Sequence, residues 1–196
     1  LEGFYYRPRI DHELLEKYNE GLIVLSGCIG GEVGDLLRQG QLEAAEEIAK
    51  WYKNIFGDRY YIELQDHGNP NHPHSWSEQV RVNKLLIELA DKLEIECVVT
   101  NDAHYGKHED QEAHEILLCV QTGSFLDEDS RMSLKDFELH IADPKDIAER
   151  WSEIAPKAVS NTRVIANRCD VTIELGKILI PKFPLPTGVT EKSYLD

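Results

Sequence analysis

Four residues combine metal-ligand chemistry with the spacing of strand ends: Cys28, His67, Asp102 and His104. Each follows a short apolar run. Cys28 comes after Leu22-Ile23-Val24-Leu25 and His67 after Tyr60-Tyr61-Ile62-Glu63-Leu64. Asp102 and His104 come after Cys97-Val98-Val99-Thr100. Asp102 and His104 are two apart, so an extended backbone would send both to one side. One strand end would then offer a carboxylate and an imidazole together. Imidazole, carboxylate and thiolate suit Zn²⁺, with Mn²⁺ where oxygen donors dominate. A cation held there lowers the pKa of bound water and offsets phosphoryl charge, which is the chemistry of phosphate-ester hydrolysis. Two or three adjacent metals would clamp the attacking and leaving oxygens.

Such residues converge only if the strands are parallel, because parallel α/β folds gather the C-terminal ends of their strands at one mouth. The sequence has that rhythm. A helix is expected over Ile10–Asn19 with Asp11 as N-cap. The first strand, Leu22–Leu25, is broken by Ser26-Gly27-Cys28-Ile29-Gly30-Gly31. Helices follow over Glu32–Arg38 and Leu42–Phe56, the second with Leu42, Ala45, Ile48, Ala49, Tyr52 and Ile55 on one face. Gly57-Asp58 turns into the strand Tyr60–Leu64, and a Pro-rich loop leads to a helix over Ser77–Leu93. The strand Cys97–Thr100 and a helix over Glu109–Val120 complete three strand–helix repeats. Short, continuously apolar strands of this kind predict a parallel sheet or barrel. Beyond them, Phe137–Ile141 reads as one more strand. Asp143 with Pro144 opens a helix, Ala155-Pro156 opens another that runs to Cys169, and Val171–Leu175 reads as a short strand. Pro181, Pro184, Pro186 and Gly188 mark an extended linker, after which Thr190-Glu191 starts a new element.

Composition bounds the partners. The chain has 196 residues, 41% hydrophobic and 29% charged, which is enough for one sizeable core. No apolar run reaches the roughly 18 residues of a membrane helix. With 36 acidic against 21 basic residues, the net charge is −15, so no broad basic surface grips nucleic acid. Four separated cysteines without a CxxC pair argue against a zinc finger or a disulfide framework, and for a reducing cytoplasm. No signal peptide is expected from the opening residues, and the absence of an initiator Met reads as an excised fragment or a processed product.

Other candidates are weaker. Glu63 and Asp66 are ligands or supporting partners, with Glu63 facing away from His67 by strand alternation. His72 and His74 read as solvated, His108 and His114 as capping or packing, and His12 and His140 have no partner pattern. Gly30-Gly31 before Glu32 offers backbone N–H groups to a phosphate, although a tight turn is the stronger reading. Arg7 and Arg9 are weak phosphate contacts. Cys97, Cys119 and Cys169 read as core.

Several segments together carry a resemblance: Gly3–Asp11, Leu25–Glu32, Glu63–Gly68, Val99–Tyr105, His114–Gly123 and Pro181–Pro184. They resemble the polymerase-and-histidinol-phosphatase (PHP) domain of bacterial DNA polymerase III alpha subunits. The resemblance implies a portion of a distorted (β/α)₇ barrel with parallel strands. It places PHP residues over 1–176, with 143–176 a helical extension, and a linker toward the polymerase palm over 177–196. It implies Cys28, His67, Asp102 and His104 as ligands in a centre of up to three metals, Zn²⁺ first and Mn²⁺ or Mg²⁺ as alternatives. Asp102 and His104 would carry catalysis of 3′–5′ exonuclease type. It further implies DNA, a proofreading exonuclease and the sliding clamp as partners, a cytoplasmic location and no membrane. The family's early His-x-His motif is absent, so about half the centre is expected, the polymerase catalytic carboxylates lie elsewhere, and the isolated piece is expected to be inactive. Two rivals stand beside this reading: a non-catalytic module that docks partner subunits, and a stand-alone PHP-type phosphatase.

Overall fold

The computed structural model describes residues 4–68, 73–177 and 183–195, with the side chains of residues 4, 5, 7 and 73–76 excepted. His72 and Pro181, and the side chains of Arg7 and His74, lie outside the described residues.

A small antiparallel pair, β1 (Phe4–Tyr5) and β2 (Arg7–Pro8), precedes α1 (His12–Lys17), where the Asp11 carboxylate caps the helix by accepting from Leu14 N–H at 2.9 Å. The central sheet has three parallel strands in the order β3 (Val24–Leu25), β4 (Tyr60–Gln65), β5 (Glu96–Thr100). Its register pairs Val24 with Tyr60 and Tyr61 with Glu96. Between β3 and β4 run α2 (Glu32–Arg38) and α3 (Leu42–Phe56), and between β4 and β5 runs α4 (Pro73–Leu93). The fold class is therefore α/β, a parallel βα unit of the partial-barrel kind expected. β4 is buried at Tyr60, Tyr61, Ile62, Leu64 and Gln65, as a strand covered on both faces must be. The core gathers Val33, Leu37, Ala45, Ala49, Phe56, Ile62, Leu64, Val82, Leu86 and Val99 from these strands and helices. Arg59 closes the return into β4 by donating to the carbonyls of Asn19 at 2.5 Å and Leu22 at 2.8 Å. That contact engages the Leu22 carbonyl outside the sheet, so the expected Leu22–Leu25 strand shortens to Val24–Leu25.

After β5 come α5 (Gln111–Thr122), α6 (Pro144–Trp151), α7 (Pro156–Arg168) and, near the end, α8 (Glu191–Leu195). Asp143 caps α6 and Pro144 sits at its first turn, as the sequence predicts. α7 lies along β5, where Asn161 donates to the Cys97 carbonyl at 2.8 Å.

Three expectations fail. Phe137–Ile141 is not a strand: its backbone hydrogen-bonds to His67, His104 and Tyr105 in the loops beyond β4 and β5, with one isolated bridge, Tyr105 with His140, and no ladder. Val171–Leu175 has no regular structure, and Val171, Ile173 and Leu175 are exposed, so no neighbour exists for a strand to pair with among the described residues. Cys169 is exposed at the C-cap of α7, where the backbone has left the helix for an extended conformation, and not in the core. No described helix is long and apolar enough to cross a membrane.

Candidate active site

Three of the four predicted residues stand together beyond the strand ends. His67 lies two residues past β4, and Asp102 and His104 lie just past β5. The two loops are in register because β4 and β5 pair up to Gln65–Thr100 and the Asp66 N–H extends the pairing to the Thr100 carbonyl at 2.8 Å. Asp102 is central. Its Oδ2 is 3.1 Å from His67 Nε2, and its Oδ1 is 3.9 Å from His104 Nδ1.

The grouping does not arise by the expected route. Asp102 has φ +52°, left-handed rather than extended, so strand alternation does not place Asp102 and His104 on one side. Instead His104 folds back, with Nδ1 2.7 Å from the Asp102 carbonyl. A carbonyl only accepts, so Nδ1 is the donor, and in the neutral ring Nε2 is the nitrogen that carries a lone pair. By the same logic His67 donates from Nε2 to the Asp102 carboxylate, and its Nδ1 is buried without a hydrogen-bond partner among the described residues. Asp is among the non-glycine residues that enter the left-handed region most readily, and here that turn sets the path of the loop after β5.

The Phe137–Ile141 segment closes the buried side. His67 packs edge-on against Phe137 at 4.9 Å between ring centroids, and its carbonyl accepts from Glu138 N–H at 3.0 Å. The Leu139 carbonyl accepts from His104 N–H at 2.7 Å. His67 is therefore walled in, with its side chain 9% exposed, while Asp102 and His104 are about one third open at 33% and 37%.

Cys28 stands apart. It is exposed on the turn between β3 and α2, where its Sγ accepts from Gly30 N–H at 3.3 Å. Gly34 in α2 packs directly on this turn, and a Cβ there would lie 2.6 Å from the Cys28 carbonyl and 2.9 Å from Ile29 Cα. Gly34→Ala is expected to cost about 1–3 kcal/mol by overpacking against backbone that cannot yield, read as a lower denaturation midpoint with an unchanged slope.

The remaining candidates separate by partner. Glu63 accepts from the Thr100 hydroxyl at 2.6 Å across the sheet. Asp66 is fully buried and held by Arg150 and Trp151, so its oxygens are committed. His12 stacks on Trp51 at 4.1 Å and meets Glu32 at 2.9 Å, away from this site. His108 pairs with His140 at 5.4 Å. His114, read from sequence as capping or packing, stands beside the site. It reaches there from the first turns of α5, with its ring 5.7 Å from His104 and 5.2 Å from Tyr105. The short connection from β5 to α5 was the signal that could have found it.

Among the described residues, no group of three or more His, Cys, Asp or Glu side chains is arranged to hold a metal ion. His104 Nε2 and Asp102 Oδ1 are donors of the right type, but the residues described do not close a centre by themselves.

Residues 1–67 match the family model described as the PHP domain. Across its full length, the chain is 41% identical to the DNA polymerase III subunit alpha of Thermus aquaticus. Over 95% of its length it is 40% identical to that of Deinococcus radiodurans, and over 99% it is 41% identical to that of Treponema pallidum. The chain matches the PHP-domain region of DNA polymerase III alpha subunits. It spans only 14% to 16% of the length of these relatives. The parallel sheet is thus part of a PHP barrel, and the Asp102 cluster lies at the end of that sheet where a parallel fold collects functional side chains.

Proposed function

We propose that this chain is part of the PHP domain of a replicative DNA polymerase alpha subunit, and that its strand-end residues serve a metal-dependent phosphoesterase site acting on DNA 3′ ends. The observation that carries this reading is the Asp102 cluster. The carboxylate of a left-handed Asp102 is held on one side by His67 and stands beside His104 on the other. Cys28, His67, Asp102 and His104 are assigned to the metal centre, with Asp102 and His104 carrying catalysis. Donors from elsewhere in the polymerase complete it. Zn²⁺ in such a centre, or Mn²⁺ or Mg²⁺, supplies phosphoryl charge neutralisation and acidified water. The chain's own residues orient the donors and keep the buried side dry. On this reading residues 1–176 are PHP and 177–196 lead toward the polymerase region. The partners are DNA, the proofreading exonuclease and the sliding clamp, all in the cytoplasm. The chain by itself is inactive.

The rival reading is a module that docks partner subunits without chemistry. Hydrolysis separates the two. In the full-length subunit, Asp102→Asn with His104→Ala is expected to reduce 3′-terminal hydrolysis by at least 100-fold while nucleotide incorporation persists. Unchanged hydrolysis, or none in the unaltered subunit, would leave the docking reading.

A further inference from the structure

Helix α6 lies 84 positions along the chain from the strand end it touches, yet its last two residues hold that strand end in place. Asp66 has no exposed surface. A carboxylate taken out of water must be matched by donors. Arg150 supplies Nε to Oδ2 at 2.9 Å and Nη2 to Oδ1 at 3.2 Å, a two-pronged grip. Trp151 adds its indole N–H to Oδ2 at 2.7 Å. The fourth donor is local: Gly68 N–H to Oδ1 at 2.8 Å. That last bond closes a two-residue side-chain turn with His67 at its middle. Gly68 is required there, since its φ is +79° and a Cβ would lie 2.5 Å from the Glu138 carboxylate. The turn fixes the backbone of His67, and His67 in turn donates to Asp102.

We infer that Arg150 and Trp151 are positioning residues for the proposed phosphoesterase site: through Asp66 they set the turn that aims His67 at Asp102. The inference rests on the function proposed above. It makes α6 a working part of the site and not an appendage of the barrel. A displacement of about 1 Å at a reacting group costs on the order of 100-fold in rate, so loosening this relay is read in turnover. A purely structural α6 would lower stability and leave turnover per folded molecule alone.

The test uses the full-length subunit. Trp151→Phe keeps the ring and removes only the N–H, and Arg150→Lys keeps the charge and removes the fork. Each is expected to lower kcat for 3′-terminal hydrolysis about 10-fold or more, with KM for single-stranded DNA and nucleotide incorporation unchanged. Arg150→Ala is expected to fall further, with Arg150→Lys a partial rescue. If one variant fails to fold, as incorporation and thermal melting would reveal, the other decides. Asp102→Asn is the control: if it leaves hydrolysis intact, or if the unaltered subunit has none, the proposed function falls and this inference with it. If Asp102→Asn abolishes hydrolysis while Trp151→Phe and Arg150→Lys keep full kcat, the function stands and the positioning role is overturned.

Discussion

Glu115→Ala is expected to destabilise the fold by about 3 kcal/mol, because it leaves a largely buried arginine without its counter-charge. Glu115 lies on α5 with 1% of its surface exposed. It accepts from Arg131 Nη1 at 2.7 Å, the Ser133 hydroxyl at 2.7 Å and Leu134 N–H at 2.8 Å. Three donors thus come from one loop, and that loop leads into Phe137–Leu139, which walls in His67. Burial alone would raise the Glu115 carboxyl, but the Leu134 N–H, the Arg131 guanidinium and the Ser133 hydroxyl hold it below its ordinary value. The folded state therefore binds this proton more weakly than the unfolded state does. The contribution is fully present above the unfolded carboxyl value near 4.3 and is lost as pH falls through the lower folded value. Denaturation midpoints measured from pH 7 downward are expected to show this acid-side loss in the unaltered protein and less of it in Glu115→Gln. An alanine variant as stable as the parent would show that the loop is held by something else.

Asp66→Ala has the second large effect, about 2–4 kcal/mol, from leaving the Trp151 indole N–H buried and unpaired and the Arg150 fork without its anion. Arg150 is 29% exposed and recovers some water, which places this below a fully enclosed pair. Its signature is specific: protection of α6 amides from hydrogen exchange is expected to fall before that of β4 and β5, since α6 docks through this carboxylate. Uniform loss across all three elements would contradict that assignment.

Much of the scaffold was legible because it obeys local rules. The 3.6-residue spacing of Ala45, Ile48, Ala49 and Tyr52 and the flanking Gly57 gave α3 its observed limits, Leu42–Phe56. Asp11 and the Asp143-Pro144 pair gave two helix starts. The apolar runs gave three strands, whose parallel pairing followed from the helices between them. The failures share a cause. Phe137–Ile141 alternates like a strand, but its partners are loop residues brought close only by the fold. Asp66 with Arg150 and Glu115 with Arg131 are tertiary matches that no local spacing announces.

The proximity of three candidate residues was legible in the sequence; their geometry was not. His67, Asp102 and His104 converge as expected, yet through a left-handed Asp102 and a ring-to-carbonyl bond that a strand template excludes. Cys28 ends on a separate exposed turn with no hydrogen bond or ion pair to the other three. His114 was set aside because a lone histidine near a helix start is usually a packing residue, and only the fold shows its neighbour.

The account's central claim is that Asp102 and His104 donate to a metal centre in the full-length polymerase subunit. Metal content tests it most directly: bound zinc and manganese per subunit after exhaustive dialysis, in the unaltered protein and in Asp102→Asn with His104→Ala. The account predicts at least one equivalent in the parent and its loss in the variant, with incorporation of nucleotides retained. Equal metal content in the two proteins, or none in the parent, would contradict it.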